Sequence, residues 1–276
     1  MPHRIFVTGA TGNQGGAVIR ALFDLNDSSI QVSGLTRDSN TPRAQQLAAK
    51  YPALKLSPVG FPPNAATEKR HGKDFIDAAI SNGVKVFVQT TVDRGPDSDT
   101  NPTKVSHFIS KFNIEKHLIR RTSEEGSKMT FTILRPTVFM ENFGGGFMTK
   151  LMATAMRDSL PADLEVQMVA ANDIGWFGAQ ALTRPEDARY QNQSISLAGD
   201  CLTYEEIQRI HQEVCGTSVP TTYSAVTWAV SVLVKELPMT LQSFVEDGFS
   251  ADVQELWRVN PGLKTFRKWL EARKPS

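Results

Sequence analysis

Cysteine is scarce in this chain: 276 residues contain only Cys201 and Cys215. Two cysteines without C-x-x-C or ligand-like spacing exclude a disulfide scaffold and a zinc site built on thiolates, and they suit a reducing compartment. Both read as small core residues. Charge excess is also lacking, with 30 basic against 29 acidic residues, so the total gives no reason to expect direct contact with nucleic acid or an anionic membrane. Apolar runs stay well short of the roughly twenty residues that span a bilayer. No repeat or low-complexity tract occurs, and no leader pattern precedes the first apolar run, so the expected location is cytoplasmic or nucleocytoplasmic. What remains is a chain long enough for one large domain or for a core domain with a smaller lobe.

The informative stretch lies near the start. Ile5-Phe6-Val7 is a short apolar run, and Ala17 to Phe23 carries apolar residues at helical spacing, with Gly9, Gly12 and Gly15 between them. Strand, glycine turn and helix in this order form a dinucleotide-binding unit. Gly9 serves a tight turn, Gly12 lets backbone approach a diphosphate, and Gly15 lets helix pack on strand. Thr11, Asn13 and Gln14 share the turn, and the helix start offers free N–H groups and a partial positive charge to phosphate.

Gln31 to Arg37 reads as the second strand of a parallel sheet. A carboxylate at its end would favour NAD, whereas a guanidinium can pair with the 2′-phosphate of NADP. Arg37 therefore favours NADP(H), Asp38 alone argues otherwise, and Arg43 is a candidate second contact. A helix over Ala44–Lys50 and a strand over Leu54–Val59 follow. Then the doubly wound pattern is interrupted: a proline-broken loop, Gly60–Ala66, leads straight into a helix, Glu68–Asn82, where one more helix and strand belong. One βα unit is missing, which leaves a gap beside the first strand. Three explanations stand: a neighbouring element closes the sheet, the segment is missing from the gene model, or cofactor affinity is low.

Further elements are expected at Val84–Gln89 (strand), Val105–Arg121 (helix), Phe131–Leu134 (strand, stopped by Arg135-Pro136) and Phe147–Arg157 (helix, after a Gly144–Gly146 hinge). Glu165–Val169 reads as an edge strand. A helix capped by Asn172 or Asp173 runs through Leu182, and Gln193–Ala198 is the last strand of the main sheet. Beyond Leu202 the chain is mostly helical: Thr203 caps Tyr204–Cys215 in a capping box with Glu206, and Phe266 and Trp269 lie on one core-docked face of a closing helix, Lys264–Arg273. The domain reading is a 1–200 nucleotide-binding domain, with 141–170 contributing to a substrate lobe, and a small lobe over 201–276. Phe139, Phe143, Phe147, Trp176 and Trp228 either line a substrate pocket or form plain core.

Taken together, Val7-Thr8-Gly9-Ala10-Thr11-Gly12-Asn13-Gln14-Gly15-Gly16, Thr90-Thr91-Val92-Asp93-Arg94-Gly95, the His107-Phe108-Ile109-Ser110-Lys111 helix, Leu134-Arg135-Pro136, Phe139-Met140-Glu141-Asn142-Phe143, Asp173-Ile174-Gly175 and Pro261-Gly262-Leu263-Lys264-Thr265-Phe266 resemble the NmrA-like branch of the atypical short-chain dehydrogenase/reductase superfamily. The resemblance covers nearly the whole chain. It implies an α/β fold, a Rossmann-type doubly wound parallel sheet with a small C-terminal α/β lobe, and NADP(H) at the glycine turn. It also places Thr90, Lys111 and Pro136 beside the cofactor. Members are either reductases of small organic molecules, here a carbonyl or enone, or non-catalytic NADP(H) redox sensors that act as transcriptional co-regulators through a protein partner. Typical short-chain dehydrogenases use a Tyr-x-x-x-Lys helix, the Tyr giving a proton and the Lys holding the ribose. Here Lys111 is kept and His107 stands in the Tyr position. An imidazolium can donate that proton, its ordinary pKa being about 6.5; the alternative is a half-exposed helix residue with no such role. The serine position falls on Thr90, Thr91 or Val92. No metal is expected.

Overall fold

The computed structural model describes residues 3–58, 65–233 and 236–273. In chain order the elements are β1 (His3–Thr8), α1 (Asn13–Asp24), β2 (Ile30–Thr36), α2 (Pro42–Lys50), β3 (Lys55–Pro58), α3 (Ala65–Ser81), β4 (Val86–Thr90), α4 (Ser106–Thr122), β5 (Thr130–Pro136) and β6 (Val138–Phe139). After a 3-10 turn over Met140–Phe143 come α5 (Phe147–Ser159), β7 (Val166–Val169), α6 (Ala171–Thr183), β8 (Gln193–Leu197) and β9 (Asp200–Leu202). Helices α7 (Tyr204–Cys215), α8 (Ser224–Leu233), α9 (Glu236–Glu246), α10 (Val253–Val259) and α11 (Phe266–Glu271) complete the chain.

Among the described residues these strands form three sheets of three, in the orders β1-β2-β3, β4-β5-β8 and β6-β7-β9. The first is parallel throughout, with Ile5 opposite Val32 and Ser33 opposite Lys55. Among the described residues β1 pairs with β2 alone and β4 lies in another sheet, so the main sheet is interrupted where a βα unit was expected to be missing. The physical reason is chain length: a parallel crossover needs about a dozen residues or more, and only residues 59–64 separate β3 from α3. Most of the proline-broken loop expected at Gly60–Ala66 falls outside the described residues; Ala65 and Ala66 open α3.

Two compact units are formed. One comprises Met1–Gln89, Lys116–Leu134 and Ala171–Ser194; the other comprises Thr90–Glu115, Arg135–Ala170 and Ile195–Ser276. In the first, Ile5, Val7, Ile19, Leu22 and Val32 make a core between sheet and helix. Helices α1 and α6 touch closely, because a Cβ on Gly175 would lie 2.4 Å from the Ala17 carbonyl carbon. Asp77 of α3 accepts from Arg121 Nε at 2.7 Å and lies 2.9 Å from His117 Nε2, which fixes the second half of α4.

In the second unit, Val166 and Met168 of β7, Met156 of α5, Ile207 of α7, and Phe266 and Trp269 of α11 share one core. The closing aromatic pair is thus docked as expected, and the capping box at Thr203 and Glu206 is present. Several expectations are corrected. Strand β7 is the middle of its sheet, not an edge, since it pairs in parallel with β6 and antiparallel with β9. Asn172 and Asp173 lie inside the first turn of α6, which already begins at Ala171, and not at the residue before it. β5 runs on through Arg135 and Pro136, two residues beyond the expected end at Leu134. Cys215 is exposed and Cys201 half-buried, so neither is a core residue.

Candidate functional site

In the first unit the glycine turn is built as a backbone cradle. Gly9 has φ +60, in the left-handed region that suits glycine. Gly12 N–H donates to the Gly9 carbonyl at 2.7 Å, and Ala10 N–H donates to the Leu35 carbonyl at 3.0 Å, which ties the turn to β2. A Cβ on Gly15 would lie 2.3 Å from the Gly9 carbonyl oxygen, and one on Gly12 3.1 Å from the same atom, so helix backbone sits directly on turn backbone. Gly12 is the N-cap of α1; no side chain caps this end and no acidic residue occupies its first turn. Its free N–H groups and partial charge are left for an anion.

The side chains around this turn fit the same ligand. Gln14 Oε1 is buried with no partner. Thr11 and Thr36 hydroxyls lie 3.0 Å apart, and Arg43 Nη2 donates to Asn13 Oδ1 at 3.0 Å. Arg37 is exposed at the end of β2 and makes no hydrogen bond or ion pair among the described residues. The neighbouring Asp38 carboxylate accepts from Asn40 N–H at 2.8 Å.

Thr90, His107, Lys111 and Pro136 belong to the second unit, where an ionic knot that motif reading missed fixes their surroundings. Glu115 of α4, 1% exposed, receives Arg94 Nη1 at 3.0 Å and Nη2 at 2.8 Å, and Arg135 Nη2 at 2.8 Å. Arg135 Nη2 also reaches Asp99 at 2.7 Å. Arg94 donates further to the carbonyls of Val92, Ser98 and Asn101. Burial by itself would raise the Glu115 pKa, but hydrogen bonds and charge from the two arginines bring it below the ordinary value. For Arg135 burial works downward, and Glu115 and Asp99 raise the net value. The one sequence signal for this knot was Arg135, a cation directly after the mostly apolar run Phe131–Leu134.

Pro136 ends β5, and its carbonyl accepts Asp93 N–H at 3.0 Å; Thr90 ends β4. His107 Nδ1 lies 3.3 Å from Glu236 Oε2, within ion-pair range but outside hydrogen-bond alignment, and its ring meets the Phe108 ring edge-on. Lys111 is half-buried one turn further along α4. Beside this segment is a cavity of about 150 Å³. Its apolar wall is Val92, Phe108, Val138, Phe139, Met152, Phe244 and Phe249, and its polar members are Asp93, Thr137, Asn142 and Thr240. Neither His107 nor Lys111 lines it. Of the lobe aromatics, Phe139 lines the cavity, Phe143 is core, Trp176 packs on Phe177 in the first unit, and Phe147 and Trp228 are 56% and 70% exposed, so they are neither core nor lining. Among the described residues no group of three or more His, Cys, Asp or Glu is arranged to hold a metal ion.

The model of the NmrA-like family matches residues 56–269. The chain belongs to the NmrA-like family. The match begins after the glycine turn, which therefore stands on its own geometry. This NmrA-like chain is 28% identical over 165 residues to an NmrA-like family domain-containing oxidoreductase of Penicillium ochrochloron, covering 50% of this chain and 48% of that protein. It is 30% identical over 165 residues to another oxidoreductase of the family from a Cladobotryum species, covering 50% and 47%. The chain thus spans about half the length of these curated relatives. Its fold matches the crystal structure of NmrA, a negative transcriptional regulator in complex with NADP, with a TM-score of 0.69 at 14% identity over 99% of this chain and 95% of that one.

Proposed function

We propose that this NmrA-like protein is an NADP(H)-dependent oxidoreductase acting on a small organic carbonyl or enone. The observation that carries the reading is the uncapped start of α1 seated on the glycine turn, with an unengaged guanidinium at Arg37 and a carboxylate at Asp38 already committed to its own turn. Gly9, Thr11, Gly12, Asn13, Gln14 and Gly15 would hold the diphosphate, and Arg37 would take the 2′-phosphate. When bound, the reduced nicotinamide supplies a hydride. Thr90 and Pro136 would border the cofactor, Lys111 would steady the ribose through its ammonium donors, and His107, whose Nδ1 lies 3.3 Å from Glu236 Oε2, would give the proton to the substrate oxygen. A cytoplasmic or nucleocytoplasmic setting without direct nucleic-acid contact goes with this reading; no helix among the described residues is long and apolar enough to cross a membrane.

A second reading is a non-catalytic NADP(H) sensor with a protein partner. It is favoured by one feature, the absence of both His107 and Lys111 from the cavity wall. Titration calorimetry with NADPH and NADH tests the shared premise. Arg37→Ala should weaken NADPH by roughly tenfold or more, as loss of a hydrogen-bonded charge costs about 1.5–3 kcal/mol, and leave NADH nearly unchanged. Equal losses overturn the cofactor assignment. Absorbance of the reduced cofactor with a panel of carbonyls and enones then separates the readings: binding without turnover on any compound selects the sensor.

A further inference from the structure

One buried carboxylate of the second unit has no countercharge. Asp93 is 6% exposed and lines the cavity. Its oxygens accept from Ser196 Oγ at 2.6 Å, from Ser250 Oγ, and from Ser250 N–H at 3.1 Å, all neutral donors. No Lys, Arg or His pairs with it among the described residues, and the two buried arginines of the unit, Arg94 and Arg135, are directed at Glu115 and Asp99. A carboxylate buried with neutral donors only keeps much of its desolvation cost until a cation joins it.

The walls beside Asp93 suit such a cation. Phe108, Phe139, Phe244 and Phe249 line the same cavity, with Phe244 and Phe249 ring centroids 5.1 Å apart. Aromatic faces attract cations and gain nothing from anions. Size narrows the choice: at about 150 Å³ the cavity matches the volume that, in an engineered apolar cavity, accepts benzene, so one six-membered ring fits. Carbonyl compounds bearing a carboxylate or phosphate at this end are disfavoured by the same charge.

We propose that this cavity binds a ring-sized organic cation, a protonated or quaternary nitrogen heterocycle, with Asp93 as its counterion and the determinant of its charge selectivity. The inference rests on the proposed function only in calling the occupant part of the substrate; binding is read without turnover. N-methylpyridinium and toluene share size and shape and differ in charge. Measured by ligand-observed NMR titration of the full chain, N-methylpyridinium should bind at least tenfold tighter than toluene. Asp93→Asn, which keeps an acceptor for the two serine hydroxyls, should bring the ratio near one. Phe139→Leu should weaken the cation several-fold while toluene changes little. Equal affinity for the two probes in the unaltered protein overturns the proposal by itself, whether or not Asp93→Asn folds, and so does a ratio that Asp93→Asn leaves intact. Cation binding by a protein that never oxidises NADPH would remove the oxidoreductase reading and keep this one. Turnover of neutral enones without cation preference would do the reverse.

Discussion

Glu115→Gln measures how far the second unit depends on one buried carboxylate. The substitution leaves Arg94 and Arg135 facing an uncharged amide, and breaking a buried pair from one side costs about 3–5 kcal/mol. The unaltered protein should show the matching acid sensitivity. Because the folded-state pKa of Glu115 lies below its ordinary value of 4.5, the stability it contributes is present above that value and lost as pH falls through the lower folded-state value. Denaturant unfolding followed from neutral pH down past 4.5 should therefore fall more steeply for the unaltered chain than for Glu115→Gln; parallel curves would refute the assignment. At this scale the sequence was legible where one residue type answers one backbone demand. Gly9, Gly12 and Gly15 announce a turn with a helix seated on it: Gly9 takes φ +60, and a Cβ on Gly15 would lie 2.3 Å from the Gly9 carbonyl oxygen. Arg94, Glu115 and Asp93 were not legible as buried: each alone reads as a solvated charge, and the partners that hold them, Arg94 with Glu115 and Ser196 with Asp93, stand 21 and 103 residues apart in the chain.

The cap of α7 was legible and the neighbours of β7 were not, for a related reason. A cap is local: Thr203 accepts Glu206 N–H at 3.3 Å and Glu206 reaches back to Thr203 N–H at 2.9 Å, three residues apart in the chain. Thr203→Ala should accordingly cost about 1 kcal/mol, a fall in melting temperature of roughly 2–4 °C; an unchanged melting temperature would mean that α7 is held by its packing alone. Strand pairing is not local, so the alternation in Glu165–Val169 could not disclose that β7 has a neighbour on each side. Gly175 is the sharper case. In an ordinary helix interior, Gly→Ala gains about 0.5–1 kcal/mol. Here the new Cβ would fall 2.4 Å from the Ala17 carbonyl carbon and 2.6 Å from its Cβ, so α1 and α6 must part, at about 1–3 kcal/mol. The second effect is larger, and Gly175→Ala should destabilise. A gain in thermal stability would refute the close helix contact.

For the whole molecule, the glycine turn and the order of strands and helices were enough to foresee a parallel α/β architecture, and the step from the loop at Gly60–Ala66 straight into a helix showed that one βα unit is missing. The division into two units was less accessible, because it does not follow the chain. The polypeptide passes from one unit to the other after residues 89, 115, 134, 170 and 194, so each unit is assembled from three separated segments. Each has its own apolar core, one centred on Ile5, Ile19 and Val32 and the other on Val166, Ile207 and Phe266. Two cores joined by a single linker would be free to melt independently. Here neither set of segments can unravel without releasing the ends of elements that start or finish in the other, since α4 enters one unit at Ser106 and leaves from the other at Thr122, and β5 and β8 are divided in the same way. Connectivity therefore argues for joint unfolding despite the separate cores. Scanning calorimetry should give one transition whose van't Hoff and calorimetric enthalpies agree, the signature of all-or-none unfolding. A van't Hoff enthalpy near half the calorimetric one would mean that each unit is stable without the other, and that the repeated crossings of the backbone carry no cooperativity.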